Sequence, residues 1–386
     1  MLARSLLALA TVCLMCVGAF PHPVAAQADG DPVILGTYRV LHSEILGEDR
    51  VLQIKLPRGY DEAIIEYPVV YLFYSDLVEL YYAQTIYELT VLTSDQMPPV
   101  ILVGVANTQR YRDLLPWVVG EGRGGQAERF LRVVNEEIVP FIEAEYRTKG
   151  YRIMVGPQAA AEFGAYALVE SPETFDAVIS EDPCGIDGPE RSLCRQLAEF
   201  ARTPEAAGKY LSITAPGSPD RPALEFLREM ESALEAGVTD GFRWRIDIQE
   251  PTGLFLPPVG IRAGLRDLFQ AYPLPTDSRI TGLPDLQDHY GRLSDLYGFT
   301  VDPPDLVLTL NGADLSRAGE HEVALDIFLE LHRLYPASMN GVWQLAHVYR
   351  ELGDTATAIG YYEECLRRDP NMTPAREWLE RLKGRG

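Results

Sequence analysis

Histidine is scarce in this chain, and basic residues are outnumbered by acidic ones. The 386 residues include six histidines, 34 Lys plus Arg and 56 Asp plus Glu, which gives a formal net charge of −22. Phosphate binding needs clustered Lys and Arg, so this balance argues against a nucleic-acid partner and against an anionic membrane surface. With 47% hydrophobic residues, the composition is that of a folded protein and excludes disorder of the whole chain. The length predicts one large domain and a smaller one.

Long apolar runs are also lacking, except at the N-terminus. A basic start is followed by an apolar stretch from Leu6 to Phe20 and by small residues, with a cleavage site expected after Ala26. The run is shorter than the roughly 20 residues that span a bilayer. We therefore predict a signal peptide over residues 1–26, no integral membrane segment in the mature chain, and a secreted or periplasmic location. A membrane anchor, or lipidation at Cys13 or Cys16, is the alternative.

Cysteine is rare, and three cysteines would remain after cleavage, namely Cys184, Cys194 and Cys365. Cys184 and Cys194 flank a loop rich in Gly, Asp and Pro, where a disulfide is sterically feasible and would contribute ~3 kcal/mol to stability. Two free thiols are the alternative. Cys365 falls at a small helix-packing position and is expected to be buried and unpaired. No Cys or His cluster has metal-ligand spacing, so the sequence predicts neither a metal nor a cofactor.

Between about Tyr38 and Ala271, short β-branched runs alternate with amphipathic helical stretches, the clearest of which is 126–146. Such alternation predicts a mostly parallel sheet with helices on both faces. The predicted strands are Val51–Leu56, Tyr67–Phe73, Pro99–Val105, Arg152–Val155, Phe175–Ile179, Tyr210–Ala215 and Phe242–Ile248. No helical pattern separates the first two of these strands, so we expect them to pair antiparallel at one edge of the sheet.

A different pattern begins near Leu283, where four positions recur at a spacing of 34 residues. Gly319, Ala324, Phe328 and Pro336 recur as Gly353, Ala358, Tyr362 and Pro370. This period is typical of tetratricopeptide repeats, in which small residues let paired helices approach each other. We predict a linker helix within 277–304, repeats over 305–338 and 339–372, and a capping helix to complete the 305–386 segment. The repeats are interpreted either as a protein- or peptide-binding surface or as a brace for the sheet.

The turn from a central strand into a helix is where α/β-hydrolases carry a nucleophilic serine, in the motif G-x-S-x-G. The corresponding segment here is Gly156-Pro157-Gln158-Ala159-Ala160, which keeps small residues and lacks the serine. A Ser-His-acid relay also needs an imidazole within hydrogen-bond reach of the nucleophile. His42 lies at the start of the sheet region, in or beside an edge strand, and no histidine occurs from Ser43 to Asp288. We therefore predict no catalytic residue.

Six short stretches, in a distinctive order, carry a family resemblance. They are Leu46–Arg50, Leu56–Tyr60, Tyr67–Leu72, Asn107–Leu114, Glu137–Ile142 and Ser171–Asp176. From about Tyr38 to Leu268 the chain resembles the Putative esterase family of α/β-hydrolases, which includes enterochelin esterases and esterase D, and members with a short tetratricopeptide tail are similar over nearly the whole chain. The resemblance implies an α/β-hydrolase fold and a motif similar to G-H-S-x-G-G, with Gln158 at the serine and Pro157 at the histidine before it. The family's catalytic histidine is expected near 250–253, where none occurs.

Other residues near the implied cleft offer binding or replacement chemistry. A carboxylate pair of Glu181 and Asp182 is disfavoured because adjacent side chains on a strand point to opposite faces. Asp220 is the candidate acid of the lost relay. Arg112 and its neighbours are interpreted either as ligand contacts or as a salt-bridged staple of their loop. The candidate cleft residues are Tyr74, Ser75, Arg110, Asp113 and Gln158.

These observations predict an α/β-hydrolase-type domain over 27–276 with a mostly parallel sheet, followed by a small all-α domain similar to tetratricopeptide repeats. The predicted function is that of an exported, non-catalytic binding or scaffolding protein. Its predicted partners are a small polar ligand in the cleft and a protein or peptide on the tail. An active carboxylic-ester hydrolase with a relocated nucleophile is the alternative.

Overall fold

The structure is a computed structural model that describes residues 34–74, 78–93, 96–106, 109–120, 122–183, 193–217, 222–249, 257–275 and 278–384. All the elements below lie in one compact unit, Gly36–Gly386. None of the helices in these described ranges is long and apolar enough to cross a membrane.

An eight-stranded sheet forms the centre of this unit, in the order β1-β2-β4-β3-β7-β8-β9-β10. The strands are β1 (Thr37–Ser43), β2 (Glu48–Lys55), β3 (Tyr67–Tyr74), β4 (Ile101–Ala106), β7 (Thr148–Pro157), β8 (Ala177–Glu181), β9 (Tyr210–Pro216) and β10 (Arg243–Gln249); a separate ribbon comprises β5 (Val118–Val119) and β6 (Arg123–Gly124). β2 pairs antiparallel with β1 and β4, and the other neighbours in the large sheet pair in parallel. The predicted mixed α/β architecture is therefore confirmed.

Helices cover both faces of the sheet. Those of the sheet region are α1 (Val78–Leu92), α2 (Arg110–Leu114), α3 (Ala127–Val133), α4 (Val139–Glu145), α5 (Ala159–Glu170), α6 (Leu193–Phe200), α7 (Pro222–Glu235) and α8 (Pro257–Leu268). Ser180 of β8 donates a hydrogen bond to the Ala161 carbonyl of α5, whereas the adjacent Glu181 packs against Gly260 of α8. Because successive strand residues point to opposite faces, α5 and α8 lie on opposite sides of the sheet.

The helix predicted over 126–146 is present but is not regular. A π-helical turn, Val134–Ile138, joins α3 to α4. Pro140 follows this turn and has no N–H to donate to the carbonyl four residues earlier. The wider turn accommodates this missing hydrogen bond, as π-bulges in helices commonly do.

The predicted pairing of the first two strands is wrong. β2 and β3 are not neighbours, because β4 lies between them. β3 is buried from Val69 to Phe73, so it needs a neighbour on each side, and β4 and β7 supply parallel ones. β2 lies near the edge and pairs instead with β1, a strand that no apolar run predicted because Tyr38 and Val40 are exposed.

Within the described residues 278–384, six helices follow the sheet region. They are α9 (Leu283–Tyr297), α10 (Asp305–Arg317), α11 (His321–Leu334), α12 (Met339–Glu351), α13 (Thr355–Arg368) and α14 (Thr373–Lys383). The starts and ends of α10 and α11 recur 34 residues later in α12 and α13. Gly319 and Gly353 turn each pair at positive φ, 89° and 80°, which other residues rarely adopt. The 34-residue repeat in the sequence thus corresponds to two consecutive helical hairpins of equal length.

The helical tail packs against the edge of the sheet where the parallel strands begin. The Ile64 amide donates to the Leu334 carbonyl at 3.0 Å, and the Ala337 amide donates to the Glu62 carbonyl at 3.1 Å. At the start of β7, Lys149 forms an ion pair of 2.7 Å with Asp302. Gln158 lies nine residues farther along the chain than Lys149, which corresponds to roughly 30 Å of extended strand. The tail therefore lies at the end of the sheet where the parallel strands begin, and Gln158 lies at the other end, where β7 finishes.

Candidate functional site

Gln158 occupies the sharp turn between β7 and α5 in a strained backbone conformation. Its φ is 54° and its ψ is −121°. In the described part of the chain, Asp182 is the one other non-glycine residue at positive φ. The backbone N–H of Gln158 donates to the backbone carbonyl of Glu181 at 2.9 Å, and the backbone carbonyl of Gln158 accepts from the backbone N–H of Glu162 at 3.0 Å. Such strain costs ~1–3 kcal/mol and persists only where the surroundings enforce it.

Small residues let this turn pack closely against its helix. A Cβ atom at Gly156 would lie 2.6 Å from the Ala160 Cβ, so no larger residue fits there without movement. Pro157, Ala159 and Ala160 are buried, whereas the side chain of Gln158 is exposed. The turn therefore presents a carboxamide at the position where the family resemblance implies a serine.

The histidines of the described residues lie away from this turn. His42 is on β1, where its Nδ1 is 2.7 Å from Asp49, and β1 is four strand spacings, about 19 Å, from β7. The Nε2 of His289 is 3.1 Å from the Tyr272 carbonyl oxygen. In the tail, the Nδ1 of His321 is 3.2 Å from the hydroxyl of Ser316. His332 and His347 also belong to tail helices.

Asp113, one of the candidate cleft residues, is fully buried in an ion-pair network. Its carboxylate accepts from Arg50 at 2.8 Å and from Arg112 at 2.7 Å. Arg50 is itself fully buried, and Glu48 bridges both arginines. The network ties β2 to α2, so the staple interpretation fits the contacts of Arg112 and Asp113, and an open binding surface at Asp113 does not.

Two of the remaining candidate cleft residues lie at the ends of elements that flank the sheet's central turn region. Tyr74 ends β3 and Arg110 begins α2, and the described part of each is the backbone. Ser75 and the candidate acid Asp220 lie outside the described residues. The structure therefore brings together Gly156 to Ala160 at one turn and leaves the wider cleft as a prediction.

Of the three cysteines outside the predicted signal peptide, Cys194 and Cys365 are described. Cys194 is disulfide-bonded, and its partner lies outside the described residues, as does Cys184. The pairing of Cys184 with Cys194 therefore stays a prediction. Cys365 is free and buried, as predicted, and burial raises the pKa of its thiol to about 12. No group of metal-binding side chains occurs among the residues that the structure describes.

Glu181, beside the turn, is a buried carboxyl that the sequence did not single out as such. It is 3% exposed, and neither of its carboxyl oxygens has hydrogen-bond geometry to a partner in the described chain. A Cβ atom at Gly260 would lie 2.6 Å from its Oε1, so α8 covers it closely. Burial raises the pKa of Glu181 to about 8, and the backbone N–H of Ile261, which lies near the carboxyl without hydrogen-bond geometry, offsets only part of this. Because neither Glu181 oxygen is hydrogen-bonded, Glu181 does not share a proton with the adjacent, half-buried Asp182.

We expect Glu181 to make the protein less stable as the pH rises. Its pKa in the fold, about 8, lies above the ordinary value of 4.5, so the fold favours the protonated acid. The stability that the protonated Glu181 contributes is fully present below pH 4.5 and is lost as the pH rises through 8. Between these two pH values, the free energy of unfolding should fall by up to about 1.4 kcal/mol per pH unit. Urea unfolding from pH 5 to 9 should show this slope in the wild type and not in E181Q. The exposed control E170Q should keep it; an unchanged slope in E181Q would contradict the assignment.

Comparisons with known proteins agree with this architecture. Residues 43–186 match the model of the family described as Putative esterase. An IroE-like serine hydrolase from Shewanella oneidensis is 24% identical with a TM-score of 0.66, over 77% of this chain and 99% of that one. An uncharacterised protein from Capnocytophaga ochracea is 16% identical with a TM-score of 0.58, over 90% and 99%. No curated protein sequence matches the chain. The sheet region thus shares the mixed α/β fold of the Shewanella hydrolase, and the match over 43–186 supports an esterase family for that segment.

Proposed function

We propose that this protein is an exported, esterase-like protein without catalytic activity, which binds a small polar ligand beside Gln158. The observation that carries the proposal is the turn itself: its strained backbone is retained, while its exposed side chain is a carboxamide. A carboxamide has no ionisable oxygen for attack on an ester, but it donates and accepts hydrogen bonds. Amide and carboxylate groups of a ligand are the chemistry that fits it best.

The positions of the histidines support the absence of catalysis. His42 pairs with Asp49 at the far side of the sheet from the turn, and His289 is engaged with Tyr272. The histidines of the tail belong to helices that pack against the opposite edge of the sheet. A proton relay to residue 158 therefore has no histidine base among the described side chains.

A hydrolase with a relocated nucleophile is the second candidate, because the tail contains a serine in contact with a histidine. The Ser316 hydroxyl and the His321 Nδ1 are 3.2 Å apart at the junction of α10 and α11. The contact resembles the nucleophile-base pair of serine hydrolases in distance alone. At the equivalent positions of the next hairpin, 34 residues later, stand Arg350 and Thr355, so the pair is not part of the repeat.

Hydrolysis assays distinguish these two functions. Residues 27–386 should not hydrolyse p-nitrophenyl acetate or butyrate above a heat-inactivated control, and should not be labelled by a serine-reactive fluorophosphonate. Q158S should remain inactive as well, because no histidine of the described residues lies near a serine at that position. Labelling that is lost in S316A would favour the relocated nucleophile, and activity in Q158S would show that a base reaches the turn. In a thermal-shift screen of amides and carboxylates, ligands of the cleft should lose their effect in Q158A.

We further propose that α10 to α13 form two tetratricopeptide-like repeats whose main role is to brace the sheet. The backbone hydrogen bonds from Ile64 to Leu334 and from Ala337 to Glu62 join the first repeat to the segment that leads into β3. The Lys149–Asp302 ion pair, which is largely buried, adds a contact just before that repeat. Through these contacts the first repeat packs on the sheet region. The helices α13 and α14 lie farther along the chain and are the part of the tail that we assign to a protein or peptide partner.

A further inference from the structure

A groove of about 600 Å³ lies between α9 and the segment that follows α8. Its helical wall is made by His289, Arg292, Leu293 and Leu296, whose spacing places them on one face of α9. The facing wall is the apolar segment Pro273–Pro275. This volume falls within the range of small-molecule sites, about 300–1,000 Å³, and such sites often occur where two domains meet.

The groove is separate from the turn at Gln158. The chain that leaves α9 packs on the start of β7, where the Phe299 ring is 4.7 Å from the Tyr151 ring. Phe269, directly after α8, contacts Tyr297 at the end of α9 with ring centroids 5.2 Å apart. Both contacts lie at the edge of the sheet where strands begin, whereas Gln158 lies at the edge where β7 ends. A ligand in this groove would therefore not touch the esterase-like turn.

Arg292 is the residue of the groove that indicates a negatively charged ligand. It is exposed, and it makes no ion pair or hydrogen bond with the rest of the described chain. The protein has 56 acidic residues against 34 basic ones, yet none of the described carboxylates pairs with this guanidinium. Guanidinium groups bind carboxylates in a planar, two-pronged geometry. The groove lining beside it is mostly apolar, with Gln270 as a further polar side chain, and includes Leu296, which is 51% exposed. Asp288 and Asp295, also exposed on α9, lie about one turn before and after Arg292 without pairing with it in the described chain.

The wall beside Arg292 is held in place without a ligand. His289 is buried, and its Nε2 donates to the Tyr272 carbonyl oxygen at 3.1 Å. Tyr290, the next residue, packs edge-on against Tyr272 with ring centroids 6.0 Å apart. A preformed wall loses little conformational freedom when a ligand binds, which favours affinity for small molecules.

We propose that this groove binds an aliphatic carboxylate, with the carboxylate on Arg292 and the hydrocarbon chain along Leu293, Leu296 and the Pro273–Pro275 segment. Charge complementarity selects this occupant: among the described residues of the groove, Arg292 is a cation without a carboxylate partner at the border of a mostly apolar surface, and an aliphatic acid offers one anion at the end of an apolar chain. The extent of the apolar walls favours chains of medium length.

Isothermal titration of residues 27–386 with octanoate, below its micellar concentration, tests the proposal. R292Q should weaken octanoate binding about tenfold or more, because it removes a charge-assisted contact, and should leave 1-octanol binding unchanged. From hexanoate to octanoate the affinity should rise by up to about fourfold for each methylene. L296S should reduce that increment. R279Q, which removes another exposed arginine outside the groove, is the matched control and should bind octanoate as the wild type does.

Three outcomes would overturn the proposal. One is the absence of octanoate binding, and another is equal octanoate affinity in the wild type and R292Q. The third is a concentration-dependent dimer in sedimentation experiments that L296S abolishes, because the groove would then be covered by a second copy of the chain. None of these results depends on Gln158, so the proposal can fail while the proposed function of the turn stands.

Discussion

Removal of residues 305–386 is expected to leave the sheet region insoluble, or to lower its midpoint of thermal unfolding by about 10 °C or more. The truncation removes the backbone partners of Glu62 and Ile64 and uncovers apolar surface that Leu334 and Tyr335 now share with the common core. Burial of each of these two side chains contributes roughly 1.5–3 kcal/mol to the free energy of unfolding. In a domain of this size, 1 kcal/mol shifts the midpoint by about 2–4 °C. Differential scanning calorimetry and the soluble fraction after expression measure the effect.

A shorter truncation provides the control for this experiment. Removal of residues 373–386 deletes α14, which packs on α13. It leaves in place the hydrogen bonds of Leu334 and Ala337 to the sheet region and the ion pair of Asp302. This variant should remain soluble and unfold within a few degrees of the wild type. If the longer truncation is as stable as the shorter one, the tail is not a brace, and a docking role for the repeats becomes the better explanation.

The positions of most strands could be predicted from the sequence because they are buried on both faces. β4 is apolar from Ile101 to Val105 and buried throughout, so its burial appears directly in its residue types. β1 has the opposite character, since Tyr38 and Val40 are exposed while Ser43 is buried. No local pattern distinguishes such an edge strand from a loop. Local sequence patterns could not predict the order of the strands either, because β4 follows β3 in the chain but lies between β2 and β3 in the sheet.

The turn at Gln158 could be located from the sequence, because its small residues and its missing serine are visible as residue types. Its strained φ depends on the Glu181 carbonyl, which belongs to a neighbouring strand. Glu181 itself could not be recognised as buried, since the glycine that packs against it, Gly260, is far away in sequence. For the same reason Asp113 was assigned to a cleft, although its partner Arg50, 63 residues earlier, holds it in the interior. Long-range contacts decide these features, and they leave no periodic signal.

Asp113 is expected to be among the most sensitive single positions in the sheet region. The side chains of Asp113 and Arg50 are both 0% exposed, and D113A would deprive the buried guanidinium of one of its carboxylates. Breaking such a buried pair from one side costs about 3–5 kcal/mol, because the desolvated charge that remains is no longer fully compensated. Urea unfolding should show a loss of this size in D113A, measured as the free energy of unfolding at pH 7.

Two further variants separate the buried charge from the simple loss of a side chain. D314A removes an ion pair with Arg317 in which both side chains are more than 60% exposed, and should cost no more than about 1 kcal/mol. The double variant R50M/D113L removes both buried charges and replaces them with apolar volume, so it should recover part of the loss seen in D113A. If D113A is as stable as D314A, then Glu48 alone compensates Arg50, and the network does not depend on Asp113. If D113A is strongly destabilised and the double variant is partly restored, the uncompensated charge of Arg50 is the cause, and the Arg50–Asp113 pair is a structural staple between β2 and α2.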